Sequence, residues 1–176
     1  MDITKYHSTS GMKTKEWGPA SWKHLFVSIM GAYPTVIDSN NKEHKRIRKS
    51  FYYQFYILKD TLPCIFCRRS YKQFFNELPI KPYMNSRLNL MYWLYLIKDK
   101  VNRKLIEQER ECFENERKKI DRQLQSKKIT KLEYQTKLKK IEKDTFITKP
   151  SPPFSVVLDY YESFRATCST KAQTCK

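Results

Sequence analysis

Ile47, Phe51, Phe55, Leu58 and Leu62 recur at steps of three and four residues, and the stripe runs directly into Pro63 and then Cys64-Ile65-Phe66-Cys67. A helical period that stops at a proline and is followed at once by a CxxC places the motif at a corner between two helices. Pro63 cannot continue the first helix, and Tyr71, Phe74, Phe75 and Leu78 form a second stripe beyond it. This placement excludes a thioredoxin-like arrangement, in which the CxxC follows a β-strand. A structural zinc site is excluded too, because no second CxxC or HxxxH supplies the remaining ligands. Cys112, Cys168 and Cys175, with His7, His24 and His44, are scattered along the chain.

The remaining stripes are also helical. With 176 residues the chain suits one compact domain plus an extension. Its 40% hydrophobic and 14% aromatic content can build a core, and only 3 Gly are present to supply the positive-φ turns of an all-β fold. An all-α fold is expected. Trp17-Gly18-Pro19 opens a first helix that runs to Ala32 and ends at Tyr33-Pro34, with Pro19 in its first turn. Residues 35–43 read as a loop. Leu90, Leu94, Ile97, Val101 and Leu105 mark a fourth helix capped by Asn85-Ser86. Four segments result: a flexible N-terminus over 1–14, a helical bundle over 15–106, a charged helical hairpin inserted over 107–149, and a short fifth helix with a cysteine-bearing tail over 150–176. The hairpin turns at Ser126-Lys127-Lys128, and Pro150, Pro152 and Pro153 stiffen the connector that follows it.

Lys and Arg outnumber Asp and Glu by 35 to 18, a net charge of +17 that draws anions to the surface. A general bias toward Lys, Asn, Ile and Tyr accounts for this charge without a nucleic-acid partner. A basic, helical nucleic-acid-binding protein remains the reading from a different functional class, although no known recognition motif is present. No apolar run is long enough to cross a bilayer, and Met1-Asp2-Ile3-Thr4-Lys5 lacks a signal-peptide core, so neither membrane insertion nor signal-directed secretion is expected.

Five cysteines, two of them in a CxxC, point to thiol chemistry. A cysteine at a helix N-terminus meets unpaired N–H groups and the positive end of the helix dipole, both of which favour thiolate. Cys64 holds that position. Cys67 lies one turn further on, within reach of a disulfide that a neighbouring thiolate can open. Arg68 and Arg69 add positive charge at the same end.

Three islands in this order resemble the Erv/ALR family of FAD-linked sulfhydryl oxidases, particularly its compact versions from large DNA viruses. Trp17-Gly18-Pro19-Ala20-Ser21-Trp22 with Ala32-Tyr33-Pro34 is similar to the family's opening segment. Leu62 to Tyr71 is similar to its redox helix, and Trp93 with Val101-Asn102-Arg103-Lys104-Leu105 is similar to its third motif. The resemblance implies a four-helix bundle holding FAD, with a short fifth helix alongside. It further implies that the chain oxidises protein thiols with reduction of O2 to H2O2. Cys64 would exchange with incoming thiols and Cys67 would face the flavin.

The cofactor-binding residues implied are Gly18, Trp22, Phe26, Tyr33, Lys98, Val101, Asn102, Lys104 and Leu105. Two of these depart from the pattern: Phe26 and Lys98 stand where the family carries histidines. Phe26 is left to stack on adenine and Lys98 to pair with a phosphate. Glu107 stands where the family usually has a lysine. The resemblance does not extend to Cys168 and Cys175, which are expected to form a structural or shuttle disulfide with an unpaired state as the alternative, while Cys112 is expected to be an incidental thiol. Thiol-bearing proteins, O2 and a second copy of the chain are the implied partners. The implied compartment is the host cytoplasm or virion for a viral protein, or the mitochondrial intermembrane space for a cellular one.

Overall fold

A computed structural model describes Thr4, His7 and residues 11–166. Among these residues the α-helices are α1 (Thr14–Ala32), α2 (Lys42–Thr61), α3 (Ile65–Glu77), α4 (Arg87–Gln125), α5 (Lys131–Thr145) and α6 (Phe154–Glu162), with a 3-10 turn at Lys81–Tyr83. The fold is all-α: a bundle of α1 to α4, a short further helix α6, and a charged hairpin. The chain divides into two compact units, Met1–Ile97 with Pro153–Lys176, and Lys98–Pro152.

Local sequence sets most of the helix ends. The Asn41 side chain accepts from the N–H groups of Glu43 and His44, capping α2 with a contribution of about 1 kcal/mol. Ser86 caps α4 by accepting from Asn89 N–H at 3.1 Å. The first helix begins at Thr14 rather than at Trp17, so Pro19 lies inside it. The bond that Pro19 cannot donate would have gone to the Lys15 carbonyl, four residues earlier. That turn is exposed, and water can take the carbonyl instead.

In the first unit the core is aromatic. Tyr33 meets Phe51 edge-on, Phe55 meets Trp93 edge-on at 5.0 Å, and Phe75 closes on Trp93 at 5.9 Å. Each buried ring with a polar end has an acceptor on another element. Tyr33 Oη donates to Met84 O at 2.8 Å, Tyr71 Oη to Phe55 O at 2.9 Å, and Trp93 Nε1 to Leu78 O at 2.9 Å. Burying these rings therefore leaves no polar atom stranded, a cost that would otherwise run to about 1–3 kcal/mol each. Helix α6 packs on α1 through a Phe26–Tyr161 stack, and Arg165 Nη1 donates to Met30 O near the end of α1. At its other end Phe154 sits against Tyr92 and Tyr95 of α4.

The second unit is a helical hairpin. Tyr134 Oη donates to Asp121, Phe113 packs on Phe146, and Glu109 accepts from the backbone and hydroxyl of Thr148, so the two arms run antiparallel. Ile120 is its buried apolar residue. The turn at 126–129 includes Lys127 with φ 54°, and a capping box of Thr130 and Glu133 starts α5. The sequence suggested a helix ending near Leu105 and a new arm from Glu107. Instead α4 is one helix of 39 residues. No Gly or Pro interrupts it, and the i,i+3 or i,i+4 pairs Asp99–Arg103, Glu107–Arg110, Glu114–Arg117 and Glu116–Lys119 support it where apolar contacts thin out.

Candidate active site

Pro63 ends the α2 corner and Cys64 takes the N-cap of α3 with extended backbone, φ −123° and ψ 126°. The cap role normally falls to Ser, Asp or Asn; here a sulfur performs it, Cys64 Sγ accepting from Cys67 N–H at 3.4 Å. Both cysteines are free thiols and both are half-buried.

The two thiols differ in acidity. Burial pushes Cys64 upward, but hydrogen bonds from the Cys67 thiol, the N–H groups of Cys67 and Phe66, and the Thr14 hydroxyl outweigh it and hold Cys64 below its ordinary value. For Cys67, burial and its donation to Cys64 raise the thiol, with Thr14 opposing. Cys64 is thus the more acidic thiol of the pair and Cys67 the less acidic. Arg68 Nη1 donates to Leu62 O at 2.6 Å, keeping a guanidinium at the same corner, and Arg69 is exposed. Ile65 and Phe66, the two residues between the cysteines, are 48% and 70% exposed, so an incoming chain can reach the pair.

Sequence reading missed Gly11, Met12 and Thr14, which fall in the segment expected to be a flexible N-terminus. Met12 N–H donates to Pro63 O at 3.2 Å, and Thr14 Oγ1 lies 3.9 Å from Cys67 Sγ. These contacts join residues about fifty positions apart, and no local pattern announces them.

Of the other residues expected in the site, Gly18, Trp22 and Phe26 follow one another at four-residue steps on one face of α1, and Tyr33 stands just past its end. Gly18 is buried, and a Cβ there would meet Thr14 Cγ2 at 3.4 Å, an ordinary contact. Trp22 is half-buried. Phe26 is wholly buried, with Tyr161 stacked on it at 4.6 Å and 17°. Burial pushes the Tyr33 phenol up to about 12, against the opposing charge of Arg48.

Within the second unit, Lys98, Val101, Asn102 and Leu105 recur along one side of α4, with Lys104 beside them. Lys98 is half-buried, and burial lowers its ammonium pKa despite Asp99. Asn102 Nδ2 donates to Ser151 Oγ at 2.9 Å, while Lys104 and Leu105 are exposed. Cys112 is an exposed free thiol, and Cys168 and Cys175 lie outside the described residues.

No curated protein sequence matches the chain. Among solved structures, the yeast Erv1 core is similar at a TM-score of 0.45 and 22% identity, covering 58% of this chain and 79% of that one. The sequence model of the Erv1/Alr family matches residues 19–125, more than half of the chain and inclusive of the CxxC corner, and the protein therefore belongs to the Erv1/Alr family.

Proposed function

We propose that this protein is a thiol oxidase that uses FAD to form disulfides in other proteins, reducing O2 to H2O2. The observation that carries the reading is the CxxC corner: a thiol at a helix N-cap, its pKa held down, one turn from a second, less acidic thiol.

The chain's own part begins with the pair as a disulfide. A substrate thiolate attacks Cys64 Sγ; the Cys64–Cys67 bond breaks, a mixed disulfide forms, and the electron pair leaves on Cys67. The substrate's second thiolate then attacks its own sulfur in the mixed disulfide and expels Cys64. Cys64 suits this second departure, because the groups that hold it below its ordinary pKa also make it the better leaving group. The substrate has gained one disulfide, and two electrons rest on the dithiol. The chemistry FAD supplies when bound is removal of those two electrons and their delivery to O2, which takes up the two protons lost by the substrate thiols.

The donor set suits such a cofactor. Lys98 is a partly desolvated cation able to pair with a phosphate, and Lys104 and Asn102 lie within two turns of it on α4. Trp22, Tyr33, Val101, Leu105 and Gly18 are the remaining residues we assign to the cofactor, with Phe26 in place of the family's histidine. Substrates are thiol-bearing proteins, and a second copy of the chain is the proposed subunit partner. No described helix is long and apolar enough to cross a membrane.

A second reading retains the fold and drops the catalysis, leaving a binding or structural protein. It is favoured by the complete burial of Phe26 beneath Tyr161, which uses one ring face within the fold. Purified protein separates the two. The oxidase reading requires a yellow preparation with flavin absorbance that consumes O2 with dithiothreitol and loses this activity in Cys64→Ser and in Cys67→Ser. A colourless protein inert to dithiothreitol even after incubation with FAD supports the second.

A further inference from the structure

Residues 11–14 touch the redox corner at three points. Met12 N–H donates to Pro63 O at 3.2 Å. Gly11 lies so close that a Cβ there would come within 2.7 Å of Pro63 O and 3.3 Å of Cys64 Cα, both backbone atoms. Thr14 Oγ1 sits 3.9 Å from Cys67 Sγ. The segment is held from behind as well, since Trp17 Nε1, one turn into α1, donates to Met12 O at 3.3 Å. Only glycine permits such an approach; any other residue at position 11 must push the segment or the corner aside.

We propose that Gly11–Thr14 is a strap that positions the redox pair: its backbone clamps the Pro63–Cys64 peptide, and the Thr14 hydroxyl steadies the two sulfurs at the start of α3. Thr14 is a positioning residue acting through Cys64 and Cys67. The inference rests on the reading of that pair as the redox centre, but requires neither bound FAD nor O2.

The physical argument concerns where charge can settle. A sulfur that ionises at a helix start needs donors already aimed at it, and the backbone N–H groups of Phe66 and Cys67 are two of them. The Thr14 hydroxyl is delivered from another element to within 3.9 Å of Cys67 Sγ, where it lowers the pKa of the thiol pair. Its geometry depends on the strap lying flat against Pro63, which the hydrogen of Gly11 allows. Loss of the hydroxyl, or displacement of the strap, removes one polar partner from the thiol pair and leaves the helix untouched.

The test uses the fully reduced full-length protein without oxidant. The rate of iodoacetamide alkylation at Cys64, read on its peptide by mass spectrometry, is followed from pH 5 to 10 in wild type, Thr14→Val, Thr14→Ser and Gly11→Ala. Thr14→Val keeps the shape of the side chain and removes the donor; Thr14→Ser keeps the donor. The strap requires the Cys64 profile to move to higher pH in Thr14→Val and in Gly11→Ala, with about a two- to tenfold smaller thiolate population at pH 7, and to return close to wild type in Thr14→Ser. Superimposable profiles for wild type and Thr14→Val, or a failure of serine to restore the profile, overturn the proposal. Loss of helix content in Gly11→Ala by circular dichroism also overturns it, since the strap would then be a folding element. A shift of this kind in a protein that consumes no O2 would sink the oxidase reading and leave the strap standing.

Discussion

Phe26 of α1 lies flat against Tyr161 of α6, ring centroids 4.6 Å apart and planes 17° from parallel. This stack is one of the contacts that hold the short helix α6 to the bundle, and it joins residues at positions where side-chain loss is expensive. Phe26 is wholly buried, so Phe26→Ala is expected to lower unfolding stability by about 3–5 kcal/mol. Tyr161→Ala, which removes the stacked partner from a half-buried site, is expected to cost about 1–3 kcal/mol. Urea unfolding followed by far-UV circular dichroism measures both. Equal and negligible losses would show that α6 is not held by this stack.

Tyr33 gives a pH signature. Burial raises its phenol to about 12 from an ordinary 10.0, so the folded chain retains a proton that the unfolded chain releases earlier. Its contribution to stability is therefore complete below pH 10 and is lost as pH rises toward 12. Tyr71, raised by burial in the same direction, adds to the loss. The urea midpoint is expected to fall across that window in wild type and to fall less steeply in Tyr33→Phe.

The unequal thiols make the two serine variants distinguishable. In Cys67→Ser, the Cys64 thiolate attacks oxidised glutathione, displacing one glutathione and holding the other in a mixed disulfide that Cys67 is no longer there to resolve. Mass spectrometry should find a single adduct on Cys64 at neutral pH. In Cys64→Ser the corresponding adduct on Cys67 should form more slowly, because burial holds that thiol up. Equal rates would contradict the assignment of exchange to Cys64.

Lys98 tests the cofactor assignment. Replacing its half-buried ammonium by methionine keeps the apolar stem and deletes the charge. If the side chain pairs with a phosphate of FAD, Lys98→Met weakens FAD binding by about tenfold or more, measured by quenching of flavin fluorescence. Unchanged affinity would remove Lys98 from the site.

Much of the bundle was legible because its determinants are local. The Ile47-to-Leu62 stripe, the stop at Pro63 and the Ser86 cap each specify an element within a few residues, and the CxxC is contiguous. The uninterrupted course of α4 was harder to read. Beyond Leu105 the apolar stripe fades while helix-supporting charge pairs take over, so the pattern resembles a boundary where the backbone has none. Gly11 and Thr14 were invisible for another reason. Their roles exist only after the chain has returned to bring Pro63 and Cys67 against them, and a glycine in a polar segment carries no mark of the backbone it will meet.

The sulfur of Cys64 is both the N-terminal cap of α3 and one end of the proposed redox pair. Closing a disulfide removes the thiolate form of that atom, and a neutral bridging sulfur is a poorer acceptor for the Cys67 amide than a thiolate. Every turnover would thus loosen and retighten the opening turn of the helix, and amide exchange at Cys67 would register the oxidation state without any electron being counted.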